Sequence, residues 1–201
     1  MELWQYEREA QAAGYKVICG CDEAGAGPLA GPVYAAAVIL PDGLEIPGLN
    51  DSKKLTEKKR EMLFPVIQEQ AFAWAVTSVD AAEIDATDIL SARMKAMQLA
   101  IDALELKPDF ALIDGNRDKG KTFSITTCHR CLIKGDSLSA SIAAASVLAK
   151  VSRDRFMLEM ARAYPEYRFE QHKGYGTKLH YEMLHAYGPS PIHRRTFLKN
   201  L

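Results

Sequence analysis

The chain has 201 residues, 48% of them apolar and 25% charged, which suits a folded domain with a sizeable core and excludes a disordered segment. Twenty-five Lys and Arg face 26 Asp and Glu, so the overall charge does not mark a nucleic-acid binder, and any phosphate-facing surface has to come from local clusters. Glu2, Glu7, Arg8 and Glu9 exclude a signal peptide at the N-terminus, and no apolar run reaches the roughly 18 residues of a membrane span. A cytoplasmic protein of one domain, residues 1–201, with no membrane partner is expected.

Met1 to Ala13 reads as a short helix with Leu3, Tyr6 and Ala10 on one face, capping the fold. The stretch Val17-Ile18-Cys19-Gly20-Cys21 reads as a buried strand that ends at Asp22-Glu23 and turns through Gly25-Ala26-Gly27-Pro28. Val33 to Leu40 is apolar almost throughout and reads as a second strand, forming a hairpin with the first. A polar loop, Gly48 to Lys54, precedes a helix capped by Thr56, which Pro65 should kink or interrupt. Ala71 to Val79 alternates as a third strand. Asp80-Ala81-Ala82-Glu83 is a capping-box pattern before a short turn and a longer helix carrying Ile89, Met94, Met97, Ile101 and Leu104.

Phe110 to Ile113 is a fourth apolar run, closed by Asp114-Gly115, and a further strand is expected near Phe123 to Thr127. Gly135-Asp136-Ser137 then leads into a long helix of small residues from Ser139, with Ser146, Lys150 and Arg153 on one face. The tail holds His172-Lys173-Gly174-Tyr175, a helix from about Lys178 to Ala186, and His193-Arg194-Arg195. The whole is mixed α/β without repeats. Lys53-Lys54, Lys58-Lys59-Arg60, the group Lys150, Arg153 and Arg155, and His193-Arg194-Arg195 are the basic clusters, each alone an ordinary solvated face.

Carboxylates at a strand end repel and lose hydration, so they need protons, cations or metal. Asp22 and Glu23, Asp114, and Asp136 stand at comparable places in the pattern, and ends of neighbouring strands meet in space. Hard oxygen ligands select Mg²⁺ or Mn²⁺, and two such ions serve phosphodiester chemistry by activating water and stabilising the leaving oxygen. Glycines let a backbone approach a ligand closely and offer N–H groups to phosphate oxygens. Among the cysteines, Cys128-His129-Arg130-Cys131 has the gap of a zinc half-site, whereas Cys19 and Cys21 are one residue apart in an apolar strand. Reduced thiols are expected, and a zinc-stabilised fold is the competing reading.

Eight motifs, in order and spacing, resemble bacterial ribonuclease HII. They are Asp22-Glu23-Ala24-Gly25; Gly27-Pro28-Leu29-Ala30-Gly31-Pro32-Val33; Asn50-Asp51-Ser52-Lys53-Lys54-Leu55; Ile113-Asp114-Gly115-Asn116; Lys134-Gly135-Asp136-Ser137; Ala144-Ala145-Ser146 with Ala149-Lys150-Val151; Arg153-Asp154; and His172-Lys173-Gly174-Tyr175. The resemblance runs from about Cys19 to Phe197. Ribonuclease HIII shares the core but carries a sizeable N-terminal domain, and only a short segment precedes the first strand here, so type HII is expected.

The resemblance implies a ribonuclease H-like fold: a central five-stranded mixed sheet flanked by helices, with a catalytic core over about 14–163 and a helical C-terminal extension over about 164–201. It implies an endonuclease that cuts the RNA strand of RNA–DNA hybrids and nicks ribonucleotide-containing duplex DNA on the 5′ side of the ribonucleotide, leaving 3′-hydroxyl and 5′-phosphate ends; a monomer is expected. Asp22, Glu23, Asp114 and Asp136 are the implied catalytic and metal-binding set, holding two Mg²⁺ or Mn²⁺ ions. Gly25, Ala26 and Gly27 are implied to hold the ribose 2′-hydroxyl by backbone contacts, Tyr175 to contact the nucleotide at the RNA-to-DNA junction, and Asn50, Lys53, Ser146 and Lys150 to contact phosphates. The chain departs from the family's Gly-Arg-Gly at Ala26. A non-catalytic nucleic-acid-binding module of this fold is one alternative, and another metal nuclease such as a resolvase or exonuclease is a second.

Overall fold

The computed structural model describes residues 3–50, 52–115 and 125–199. Five strands form one sheet in the order β3-β2-β1-β4-β5: β1 (Ile18–Ala24), β2 (Val33–Ile39), β3 (Ala73–Val79), β4 (Phe110–Asp114) and β5 (His129–Leu132). The first three make an antiparallel meander, and β4 and β5 run parallel to β1 and β4 respectively. The mixed sheet and the β1–β2 hairpin are as the sequence predicts.

Side chains alternate between the two faces of a strand, and both faces are apolar here. Cys19 and Cys21 of β1, with Ala35 and Ala37 of β2, pack on Met97 and Ile101 of α4 (Ile89–Asp102). On the opposite face Ala36 and Val38 meet α2 (Glu57–Gln70) and α5 (Ala140–Ala163) through Leu63, Ile67, Ala144 and Leu148. The alanine-rich α5 lies so close to β1 that a Cβ on Gly20 would stand 2.2 Å from the Ile142 nitrogen. Only a missing side chain allows that approach.

Caps set several helix starts. Thr56 Oγ1 accepts from the Lys59 N–H and Asp80 Oδ1 from the Glu83 N–H, as the sequence predicts. Asp88 caps α4 by accepting from the Leu90 and Ser91 N–H groups. The N-terminal helix α1 (Gln5–Ala12) does cap the fold: Glu7, buried, accepts from the Ser139 hydroxyl at 2.6 Å and the Ser141 N–H at 3.1 Å at the start of α5. A carboxylate there satisfies N-terminal donors and complements the helix dipole.

Three expectations require correction. Strand β1 does not stop before the acids: Asp22 pairs with Ala36 and Glu23 with Ala35, so both carboxylates stand within its last three residues. Pro65 does not interrupt α2, which runs on to Gln70 with Leu63, Phe64 and Ile67 buried against the sheet, and that packing offsets the hydrogen bond the proline cannot donate. Residues 125–127 are not strand. The edge strand is His129–Leu132, whose polar residues are tolerated where one side of the sheet is open; Phe123 and Ser124 of the expected strand lie outside the described residues.

After α5 the tail folds through a 3-10 turn, Pro165–Tyr167, then α6 (Phe169–His172) and α7 (Lys178–Tyr187). It packs on Leu29, Ala30 and Met157 through Tyr167, Phe169 and Leu184, which makes the helical C-terminal extension part of the body. Short helix α3 (Ala81–Ala86) ties down the chain end, with Asp85 accepting from the Arg195 and Thr196 N–H groups. No described helix is long and apolar enough to cross a membrane.

Candidate active site

Strands β1 and β4 are parallel neighbours with Cys21 opposite Ile113. The next residue on each is an aspartate, so Asp22 and Asp114 meet at the same end of the sheet. Oxygens of Asp22, Glu23 and Asp114 lie within 4.8 Å of one another, the one such group of metal-ligating side chains among the described residues. Asp114 is held in place by the Gly135 N–H, which donates to its Oδ1 at 2.7 Å. That bond ties β4 to the turn carrying Asp136. Asp136 is buried, at 3% exposure, and pairs with Lys53 at 3.5 Å rather than joining the three-carboxylate group.

Burial pushes the Asp22 carboxyl well above its ordinary range, and the Glu23 and Asp114 charges add to the effect. Asp114 is raised for the same first reason, burial, with Glu23 next. Glu23 Oε1 pairs with Arg93 at 2.6 Å, while Oε2 is buried and has no partner among the described residues. A cluster of carboxylates around one buried aspartate, with an orphaned oxygen, is short of positive charge. The donor set is all carboxylate oxygen, which fits a hard divalent ion such as Mg²⁺ or Mn²⁺. The cysteines make no rival centre: Cys19 and Cys21 are buried in the α4-side core, where burial pushes the Cys19 thiol up to about 12, and exposed Cys128 contacts the Tyr15 hydroxyl.

The glycine loop after β1 is held from within by two arginines. Arg153 and Arg194, both fully buried, stand in basic clusters that the sequence suggests as phosphate-facing, yet both hold carbonyl oxygens. Arg194 donates to Gly25, Ala26 and Gly31, and Arg153 to Ala30, Pro32 and Lys173. Gly25 has φ +94°, and a Cβ there would stand 2.0 Å from Arg153 Nε, so glycine is required. Nothing lies within 4 Å of a Cβ built on exposed Gly27, so the free protein places no such demand there. Ala26 is partly exposed between them.

Tyr175 stands beside this loop. The Leu29 N–H donates to the Gly174 carbonyl, and the Arg153 guanidinium lies 5.7 Å from the Tyr175 ring centre. Tyr175 is 43% exposed, with Lys150 Nζ 5.9 Å from its ring centre. Lys150 also pairs with Asp154 at 2.7 Å. Among the implied phosphate positions, Asn50 and Lys53 are exposed and Lys150 is partly so, whereas Ser146 is only 1% exposed and donates its hydroxyl to the Ala143 carbonyl. Asp51 and Asn116 of the quoted motifs lie outside the described residues.

Behind the tyrosine runs a chain of buried histidines. The Ser190 N–H donates to His193 Nδ1, His193 Nε2 and His180 Nε2 are 2.9 Å apart, and His180 Nδ1 donates to the Tyr175 carbonyl. One proton between two ring nitrogens requires both rings neutral. Burial lowers each, to about 4. Sequence reasoning missed this chain and Arg93, since histidines scattered through a tail and an arginine inside an amphipathic helix carry no local signature.

The chain as a whole is similar to known proteins. A sequence model of the family described as Ribonuclease HII matches residues 19–200. A Ribonuclease HII of Caldicellulosiruptor bescii is 50% identical over 98% of this chain and 94% of its own length. One from Acetivibrio thermocellus is 52% identical over 100% and 77%. The crystal structure of the ribonuclease H2 from Pyrococcus horikoshii OT3 superposes with a TM-score of 0.75 at 27% identity, covering 90% of this chain and 93% of that one. The fold is therefore ribonuclease H-like. With the match spanning nearly the whole chain, this protein belongs to the ribonuclease HII family, metal-dependent endonucleases of the ribonuclease H type that act on RNA–DNA hybrids.

Proposed function

We propose that this chain nicks duplex DNA on the 5′ side of an embedded ribonucleotide, besides cutting the RNA strand of hybrids, and leaves 3′-hydroxyl and 5′-phosphate ends. The observation that carries this reading is the meeting of buried Asp22 with half-buried Glu23 and Asp114, short of positive charge, at the end of β1 that leads into a glycine loop held by Arg194. Asp22, Glu23, Asp114 and Asp136 would hold two Mg²⁺ or Mn²⁺ ions, which when bound supply an activated water and charge stabilisation at the leaving oxygen.

The protein's own residues supply placement. With its carbonyls turned to Arg194, the Gly25-Ala26-Gly27 loop keeps one conformation before substrate arrives, and open Gly27 lets a sugar come close. A ribose 2′-hydroxyl is what separates RNA from DNA at such a site, so main-chain groups here set specificity. Tyr175 offers a flat exposed face for the neighbouring nucleotide. Lys53, Asn50 and Lys150 take phosphates, which fix register without reading sequence. Lys53 bridges the two functions, since its partner in the free protein is Asp136. We place the protein in the cytoplasm as a monomer.

The test is incubation of the chain with a DNA duplex holding one ribonucleotide, with Mg²⁺ or Mn²⁺, and mapping of the cut. A single nick 5′ of the ribonucleotide, absent without divalent ion and absent from the all-DNA duplex, is expected. Cutting of the all-DNA duplex at the same rate, or no cutting at all, overturns the reading.

A further inference from the structure

Arg93 is an unusual neighbour for a cation site. It rises from α4, on the face of the sheet to which Cys19, Cys21 and therefore Glu23 point, because side chains two apart on a strand share a face. Its guanidinium holds Glu23 Oε1 at 2.6 Å, and Arg93 Nε is buried without a partner among the described residues. Helix α4 is firmly seated, with Thr77 of β3 donating to the Ala96 carbonyl at 2.7 Å and Asp88 capping its start.

We infer that Arg93 is a positioning residue for ion binding: it fixes the Glu23 carboxylate by Oε1 so that the orphaned Oε2 is presented to a divalent ion in the Asp22, Glu23 and Asp114 cluster. The inference rests on the reading of those carboxylates as ion ligands. A carboxylate with one oxygen bound to a guanidinium cannot rotate freely, and the ion then meets a ligand already oriented. Outer partners of this kind typically change metal affinity by 10–100-fold when removed. Charge alone would act the other way. A guanidinium near a divalent ion repels it, so deleting a merely charge-bearing arginine would tighten ion binding. Orientation and charge therefore predict opposite signs.

The experiment is calorimetric titration of Mn²⁺ into the full-length protein without nucleic acid, for the parent, Arg93→Met, Arg93→Lys, Glu23→Gln and the double variant Glu23→Gln/Arg93→Met. Thermal unfolding in chelator reports folding separately. Arg93→Met is expected to weaken Mn²⁺ binding about 10-fold or more, with Arg93→Lys recovering part of the loss. The double variant should bind no more weakly than Glu23→Gln alone, because Arg93 acts through Glu23. Binding by Arg93→Met as tight as the parent's, or tighter, overturns the inference, and so do losses that multiply in the double variant. A parent that binds no Mn²⁺ overturns the ligand reading itself, a result distinguishable from either of those.

Discussion

Asp22 is 2% exposed and faces two other carboxylates, so its charge is a cost to the folded protein until a cation arrives. Its raised folded value means that the folded state binds more protons than the unfolded one above the unfolded carboxyl range; stability from this group therefore falls as pH rises through that window and stays reduced above it. Asp22→Asn removes the penalty. The variant should lose metal-dependent cleavage yet unfold at a higher temperature than the parent in chelator, and it should gain less from added Mg²⁺; calorimetry with and without the ion checks both. Ala26 offers a second prediction. The resemblance implies an arginine at this position, and a charge-assisted phosphate contact is worth about 1.5–3 kcal/mol. Ala26→Arg should raise kcat/KM on the single-ribonucleotide duplex roughly tenfold and steepen the salt dependence of binding by about one phosphate contact. Equal rates and slopes at low salt would show that the loop lacks nothing.

Between the sheet and the tail, the element that matters is the loop after β1, and Arg194 is what shapes it. Three carbonyls, those of Gly25, Ala26 and Gly31, depend on one buried guanidinium. Hydrogen bonds to a charged group contribute about 1.5–3 kcal/mol each, and carbonyls left buried without donors add their own cost. Arg194→Met should lower unfolding free energy by at least ~3 kcal/mol in urea titration. In the remaining folded fraction KM should rise while Mn²⁺ binding stays near the parent's, since no ligand is touched. These dependences explain what could be read from sequence at this scale. Strands and caps were legible because they rest on local periodicity and on residues such as Thr56 and Asp80 next to the groups they serve. The end of β1 was not: Asp22 and Glu23 read as a terminus because they are charged, but their backbones find partners in Ala36 and Ala35, and pairing is a long-range property. Arg153 and Arg194 misled for a similar reason, since local composition cannot separate a buried arginine that serves carbonyls from a solvated one.

Across the whole molecule, the neutral histidine chain predicts how stability follows pH. His180 and His193 are lowered to about 4 by burial, whereas in the unfolded chain they titrate at about 6.5. Between those values the unfolded state binds more protons, so stability is full above about pH 6.5 and is lost as pH falls toward 4. Unfolding free energies from urea titrations between pH 7 and 4.5 in the Asp22→Asn background, where the opposing carboxylate contribution is reduced, should fall by a few kcal/mol, at about 1.4 kcal/mol per pKa unit. His193→Gln should flatten the profile. The fold class and the gathering of Asp22, Glu23 and Asp114 were legible because apolar runs ending in acids report parallel neighbours. The histidine chain joins residues 175, 180, 190 and 193 in three dimensions only, and no spacing rule announces it.

The bond from Arg194 to the loop also has a meaning for synthesis. The guanidinium that sets Gly25 and Ala26 is made 168 residues after Ala26. A growing chain can pair β1 with β2 and β4 and lay α5 across them while the loop beside its carboxylates still lacks its internal support. A ribosome that stalls before residue 194 therefore leaves a nascent protein with the acids assembled and the loop beside them unset, and the loop gains its support only once Arg194 has been made.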